Sequence, residues 1–298
     1  LTAEAYAREY ILKLLPSLMR AIQSGIVCGD VEAGKTELEK YLCAFIPELD
    51  PIVTVEDTLE LRLKDIYPQK DIYSMKISDM FSQEAAIKDA LRLNTKWLII
   101  SESRGRDILR IIEGASSGCV ALTSIHAENV WEIPDRIMNM AGDNVRNGFE
   151  NDIYTFFDYA IKVKADFGKE GVKRSIDQIC FFDRENKKNT IATLIKDGTV
   201  QYSFIPERIL KKFVYNREEE FLKIYIDTLK KHKARHEAKG NGFGYEIRDL
   251  DGKAGAIVCG GMGRERNLII DKRLTDFTPV THIKGEVNRE GIRKMTPR

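Results

Sequence analysis

The run Gly25-Ile26-Val27-Cys28-Gly29-Asp30-Val31-Glu32-Ala33-Gly34-Lys35-Thr36 constrains this chain more than any other stretch. From Gly29 to Thr36 it spells G-x-x-x-x-G-K-T, directly after a short apolar run and before a segment, Glu37 towards Phe45, that reads as helix. Strand, glycine loop and helix start, in that order, make a phosphate-binding loop. Gly29 and Gly34 can take backbone angles that other residues avoid, so successive N–H groups turn inward around phosphate oxygens. The start of the following helix adds partial positive charge. Lys35 is expected to reach the β- and γ-phosphates of a bound ligand, and Thr36 to hold Mg²⁺ through its hydroxyl. Asp30 and Glu32 bring negative charge into the same loop; they either weaken phosphate binding or point to solvent.

The surrounding pattern alternates apolar strand-like runs with helical ones. Ala3 to Gln23 has helical spacing, with a kink expected at Pro16. Ile52 to Asp57, Asp71 to Ile77, Trp97 to Glu102 and Cys119 to Ile125 read as strands, and Ser82 to Leu93, Asp107 to Glu113 and Trp131 to Met140 as helices. Such alternation predicts an α/β fold with a mostly parallel sheet, whose ligands lie at the carboxyl ends of the strands. Asp30, Glu56, Asp57, Glu102 and His126 all follow such runs and are expected to converge on one sheet edge. From Phe157 the pattern changes to short alternating strands with turns at Asn186 to Asn189 and Asp197-Gly198, a small β-meander appended to the core. Glu218 to Lys239 reads as a basic helix, and Gly240 to Arg298 as a glycine-rich tail with short strands. The expected divisions are a core at 1–155, a β-rich end of the same domain at 156–214, and a separate small β-rich tail at 215–298.

Charge and cysteine usage exclude some functions. With 47 basic and 46 acidic residues, there is no overall electrostatic case for a nucleic-acid or acidic partner. The five cysteines show no C-x-x-C pair, as expected of reduced thiols rather than a disulfide framework or zinc site. No run of 18 apolar residues occurs and no signal peptide precedes the first helix, so the chain is expected to be soluble and cytoplasmic. It starts at Leu1 without methionine and stops amid polar residues at Arg298, and so reads as cut from something longer.

Glu102 stands where a phosphate-loop enzyme places an acid facing Mg²⁺ and the attacking water. Ser101 rather than an aspartate precedes it, so metal contact is expected to pass through water or through Thr36 alone. Glu56 and Asp57 offer a carboxylate that either activates the water or caps a turn. Arg92 and Arg104 flank the Glu102 strand and either stabilise phosphate charge or lie on the surface. His126 reads either as a hydrogen-bonded structural residue or as part of the site.

In order along the chain, the Gly29-to-Thr36 loop, Thr54-Val55-Glu56-Asp57-Thr58-Leu59-Glu60-Leu61, Ser101-Glu102-Ser103-Arg104-Gly105 and Thr123-Ser124-Ile125-His126-Ala127 resemble the secretion and pilus traffic ATPases. These are the hexameric motors of type II and type IV secretion, conjugation and tight-adherence pili; their motifs are named the Walker A loop, aspartate box, Walker B segment and histidine box. The resemblance covers about residues 1 to 213. It implies a P-loop NTPase (RecA-like) core, ATP and Mg²⁺ as ligands, and a homo-oligomer, expected to be a hexameric ring. The ring would serve membrane-embedded secretion or pilus components, at the cytoplasmic, inner face of the bacterial membrane. It implies that Lys35 and Thr36 bind phosphate and Mg²⁺, that Glu56 belongs to the aspartate box, and that Glu102 is the Walker B glutamate. His126 would sense the γ-phosphate, and Arg92 and Arg104 match basic positions of the family. Ser101 stands where the family commonly has glycine, Val31-Glu32-Ala33 replaces a small, mostly uncharged stretch, and little of the family's N-terminal domain precedes the loop.

The tail resembles something unrelated. Gly240-Asn241-Gly242-Phe243-Gly244-Tyr245-Glu246, Gly260 to Leu268 and Ile283 to Arg298 are similar to the target-recognition region of cytosine-5 DNA methyltransferases, over about residues 216 to 298. No Pro-Cys nucleophile, Glu-Asn-Val or cofactor-binding glycine motif occurs, and Cys259 follows Val258. The tail reads either as making weak DNA contact through Arg264, Arg266, Lys272 and Arg273 or as a small β-rich fragment with a solvated basic face, and methyl transfer is not expected. A fused or misassembled reading frame is one explanation of the pairing. Three readings follow: an ATP-hydrolysing secretion motor, a DNA-binding methyltransferase fragment attached to a decayed ATPase, and a nucleotide-binding scaffold without turnover.

Overall fold

A computed structural model describes residues 3–143, 145–169, 171–201, 204–238, 246–249, 267–270 and 292–294. Two compact units divide the chain, at 1–210 and 211–298.

The first unit opens with helix α1 (Ala3–Arg20), which contains Pro16, then β1 (Gly25–Cys28) and α2 (Lys35–Cys43). There follow β2 (Ile52–Glu56), α3 (Leu63–Ile66), β3 (Ile72–Lys76), α4 (Gln83–Ala90), β4 (Trp97–Ile100), α5 (Asp107–Ser116) and β5 (Val120–Ile125). A single 3-10 turn, Val130–Glu132, leads into α6 (Ile133–Ala141) and α7 (Glu150–Phe156). Four strands then run back and forth: β6 (Tyr159–Gly168), β7 (Gly171–Glu185), β8 (Lys188–Lys196) and β9 (Thr199–Val200).

All nine strands form one sheet in the order β3-β2-β4-β5-β1-β6-β7-β8-β9. From β3 to β6 every pairing is parallel, and from β6 onward every pairing is antiparallel. The meander is therefore no appendage. It continues the parallel sheet through β6, which lies beside β1 with Ile26 opposite Ala160. Every residue of β1, β2, β4 and β5 is buried, as strands covered on both faces require, whereas edge strand β3 exposes three of its five. One face packs Ile26, Val55, Leu98, Ile100 and Ile125 against Ile87 of α4, Ile108, Ile111 and Ile112 of α5, and Ile137 of α6. Each such side chain contributes about 1.5–3 kcal/mol by leaving water.

One buried anchor joins the two halves of the sheet. The Asp158 carboxylate, fully buried, accepts from the Ser24 N–H at 2.7 Å and pairs with the Arg208 guanidinium. Arg208 also donates to the carbonyls of Phe157 and Phe182. This fixes the start of β1 against the start of β6.

Helix α8 (Glu207–Tyr215) carries the division between units, and α9 (Glu219–Ala238) follows it. In the second unit Phe213, Phe221 and Tyr225 pack ring against ring. Three short strands, β10 (Glu246–Asp249), β11 (Asn267–Ile270) and β12 (Ile292–Lys294), form a second sheet in that order. Cys259, Arg264, Arg266, Lys272 and Arg273 lie outside the described residues. Among the described residues no helix is long and apolar enough to cross a membrane, and the four described cysteines are free.

Candidate active site

The carboxyl ends of β1, β2, β4 and β5 bring five charged or titratable side chains into one connected chain. Lys35 Nζ, in the first turn of α2, donates to the carbonyls of Gly29 at 3.0 Å and Asp30 at 2.9 Å, and lies 3.4 Å from His126 Nδ1. His126 Nε2 lies 2.9 Å from Glu102 Oε1. Arg104 donates to the other Glu102 oxygen at 2.7 Å and to Asp57 Oδ2 at 3.1 Å. An ammonium has only protons to offer, so the Nδ1 facing Lys35 accepts and the ring proton sits on Nε2, directed at Glu102.

The electrostatics follow from these contacts. Burial works to raise the Glu102 pKa, but the hydrogen bond and charge of Arg104, then His126 and Lys35, outweigh it and hold the carboxyl below its ordinary range. Burial pulls Lys35 down, against the attraction of Glu102 and Glu39. The backbone around Glu102 is fixed from both sides. Gln83 of α4 donates to the Glu102 carbonyl, Ser124 Oγ donates to the Ser101 carbonyl, and the Ser103 N–H reaches the Ser124 carbonyl.

The loop has the geometry of a cradle for phosphate. Gly29 stands at φ 145° and Gly34 at φ 98°, in the region that favours glycine. A Cβ at Gly29 would lie 2.4 Å from the Val163 carbonyl oxygen of β6, and one at Gly34 would lie 2.8 Å from Arg174 Cδ of β7. Asp30, Val31 and Glu32 are exposed, so the loop acids point to solvent, the second of the two alternatives. Thr36 is half-buried in the first turn of α2, where its hydroxyl can meet an ion carried by bound phosphates.

Two expected residues stand elsewhere. Glu56 is buried and turned into its own loop, accepting from Thr54 Oγ1 at 3.0 Å and from the Leu61 N–H at 2.9 Å. It shapes the 57–61 segment, and its neighbour Asp57 is the one that joins the Arg104 chain. Arg92 follows α4 and precedes β4, which puts it at the amino ends of the strands. There it pairs with Asp89 at 3.3 Å, with both side chains exposed, remote from Glu102 by the length of β4.

Two residues escaped sequence reasoning. Glu39, one turn beyond Lys35, is completely buried and neither carboxyl oxygen has a hydrogen-bond partner; burial pushes its pKa well up. The i to i+4 spacing from Lys35 was the available signal. Arg174, far along the chain, lies over the loop with its guanidinium on the Glu32 carbonyl.

Comparison with known proteins bears on the family and the fold. The family model described as type II/IV secretion system protein matches residues 4–156, just over half of the chain. Over 180 residues the chain is 24% identical to the type IV secretion system protein VirB11 of Bartonella quintana, covering 56% of this chain and 49% of that protein. The crystal structure of the VirB11 ATPase from the Brucella suis type IV secretion system, in complex with sulphate, shares the fold. It matches with a TM-score of 0.52 at 22% identity, covering 57% of this chain and 52% of that one. Over 74 residues, 25% of this chain, the identity to the type II methyltransferase M.HpaII of Haemophilus parainfluenzae is 81%, covering 21% of that protein. The chain spans less than half the length of these curated relatives.

Proposed function

Because the chain belongs to the type II/IV secretion system protein family, we propose that it binds ATP with Mg²⁺ and hydrolyses it as a motor subunit of a secretion, conjugation or pilus machine. The observation that carries this reading is the unbroken chain Lys35–His126–Glu102–Arg104–Asp57 at the mouth of the glycine loop. In it Glu102, kept ionised, orients and takes a proton from water, and Arg104 and His126 hold its two oxygens in place. Lys35 already lies against the loop carbonyls and needs little rearrangement to face phosphate oxygens.

Mg²⁺ uses one or two protein ligands together with phosphate oxygens and waters, and supplies charge neutralisation when bound. Thr36, and Glu102 through a water, meet that demand. Among the described residues no group of three or more His, Cys, Asp and Glu residues is placed to hold a metal, so the ion is read as arriving with the nucleotide. Assembly is proposed as a homo-oligomeric, hexameric ring, docked to membrane-embedded secretion or pilus components at the cytoplasmic face of a bacterial membrane.

The M.HpaII match supports a second, narrower reading for part of the chain: weak duplex-DNA contact by the tail, without methyl transfer. The test of the main reading is Lys35→Ala, followed by nucleotide titration and circular dichroism. Loss of ATP binding with an unchanged spectrum is expected, since among the described residues Lys35 bonds to loop carbonyls and lies beside His126. A variant that binds ATP like the parent overturns the assignment of the loop.

A further inference from the structure

Strand β1 has β5 on one flank and β6 on the other. The groups suited to the terminal phosphate, Glu102 and His126, stand after β4 and β5, all on the first flank. A nucleotide whose last phosphate lies there extends its α-phosphate and nucleoside end towards the second flank. On that side β6 and β7 form a long two-stranded arm, paired from Val163–Ile176 out to Gly168–Gly171. The arm covers the loop: the Val163 carbonyl sits on Gly29, and the Arg174 stem sits on Gly34.

Arg174 is exposed, and its Nε and Nη2 donate to the Glu32 carbonyl at 3.3 Å and 3.2 Å. Among the described residues this neutral oxygen is its one hydrogen-bond partner. The Glu32 backbone that presents it stands at φ 61°, an uncommon value for a side chain of that kind. A guanidinium fork matches a phosphate better than a single carbonyl, because an anion offers two oxygens for parallel N–H···O bonds and an opposite charge. We propose that Arg174 is a nucleotide ligand acting within the same subunit, exchanging the Glu32 carbonyl for the α-phosphate of the bound nucleotide. The proposal rests on the reading of the loop as a nucleotide site.

The test is calorimetric titration of ATP and of ADP into the full chain and its Arg174→Ala, Arg174→Lys and Lys35→Ala variants, with the thermal melt of each unliganded variant. Arg174→Ala is expected to weaken ATP and ADP alike, by about tenfold, the effect of one charge-assisted bond at an exposed site. Arg174→Lys is expected to retain part of the affinity. The unliganded melts of both Arg174 variants are expected to match the parent. Loss for ATP alone would place Arg174 at the γ-phosphate and overturn the proposal. Parental affinity for both nucleotides in Arg174→Ala would overturn it too, leaving the residue a loop support while Lys35→Ala still shows the site to be real. If Lys35→Ala binds both nucleotides like the parent, the nucleotide site itself is wrong and the proposal falls with it.

Discussion

Glu102 and His126, at the ends of the neighbouring parallel strands β4 and β5, share a 2.9 Å contact while Arg104 occupies the second Glu102 oxygen. Both oxygens are oriented in the protein alone. Glu102→Gln keeps the shape and removes the base. It is expected to preserve ATP affinity while cutting hydrolysis by about a hundredfold or more. Turnover equal to the parent, in a steady-state assay at saturating ATP, would transfer the role of base to Asp57.

Glu39 opposes the fold at neutral pH. Its pKa in the folded protein is raised well above the ordinary value by burial, against the pull of Lys35. Below the unfolded pKa of about 4.3 the group is protonated in both states, and its contribution to stability is fully present. As pH rises past that value the unfolded chain ionises while the buried site resists, and stability is lost until the folded pKa is passed. Glu39→Met, unbranched and of similar length, is therefore expected to melt roughly a few degrees higher than the parent at pH 7. The gap is expected to narrow towards pH 4 without closing, because the protonated carboxyl still lacks a hydrogen-bond partner. A Met variant less stable at pH 7 would show that the carboxyl makes a favourable interaction.

The loop glycines differ in what they tolerate. At Gly29 a methyl group meets the fixed carbonyl of Val163 at 2.4 Å, whereas at Gly34 it meets the flexible Arg174 stem at 2.8 Å. Both positions also carry the positive-φ penalty, on the order of 1–3 kcal/mol. Gly29→Ala is expected to lower the unfolding free energy more than Gly34→Ala. Gly34→Ala is expected to lose nucleotide binding while remaining folded. Denaturant melts of the two variants decide it, and equal losses would show that the β6 backbone yields.

Removal of 216–298 is expected to leave nucleotide affinity unchanged, since every residue of the Lys35-to-Asp57 chain lies in the first unit. DNA affinity is expected to reside in the removed part and to fall steeply with added salt, as phosphate-dominated binding does. Side-by-side titrations of both forms with ATP and with duplex DNA provide the measurement. Loss of ATP binding by a truncated chain whose 1–210 unit stays folded would make the tail part of the site.

The central strands were legible because burial on both faces leaves unbroken apolar runs, and the site because its residues follow those runs directly. Asp57 and Glu56 could not be told apart, since adjacent strand residues point to opposite sides and only the Thr54 and Leu61 contacts decide which turns inward. Arg92 carried a motif-like position, but it precedes its strand, which puts it on the wrong rim. Glu39 sits in Glu37-Leu38-Glu39-Lys40, a run that reads as a solvated helix face; only the placement of α2 against the sheet buries it. The meander reads as appended to the core because its antiparallel strands have another rhythm. What joins it to the core, the β1–β6 pairing and the Asp158 anchor, links residues more than a hundred positions apart, and no local pattern records that.

Strand β1 is four residues long and is hydrogen-bonded along its length to β5 and to β6. The β6–β7 arm reaches the glycine loop through the β1–β6 pairing and directly at Gly29 and Gly34, with neither β4 nor β5 in between. In the proposed motor, the flank that carries His126 and the flank that carries the β6–β7 arm would have β1 alone between them, two strand spacings of about 4.8 Å each.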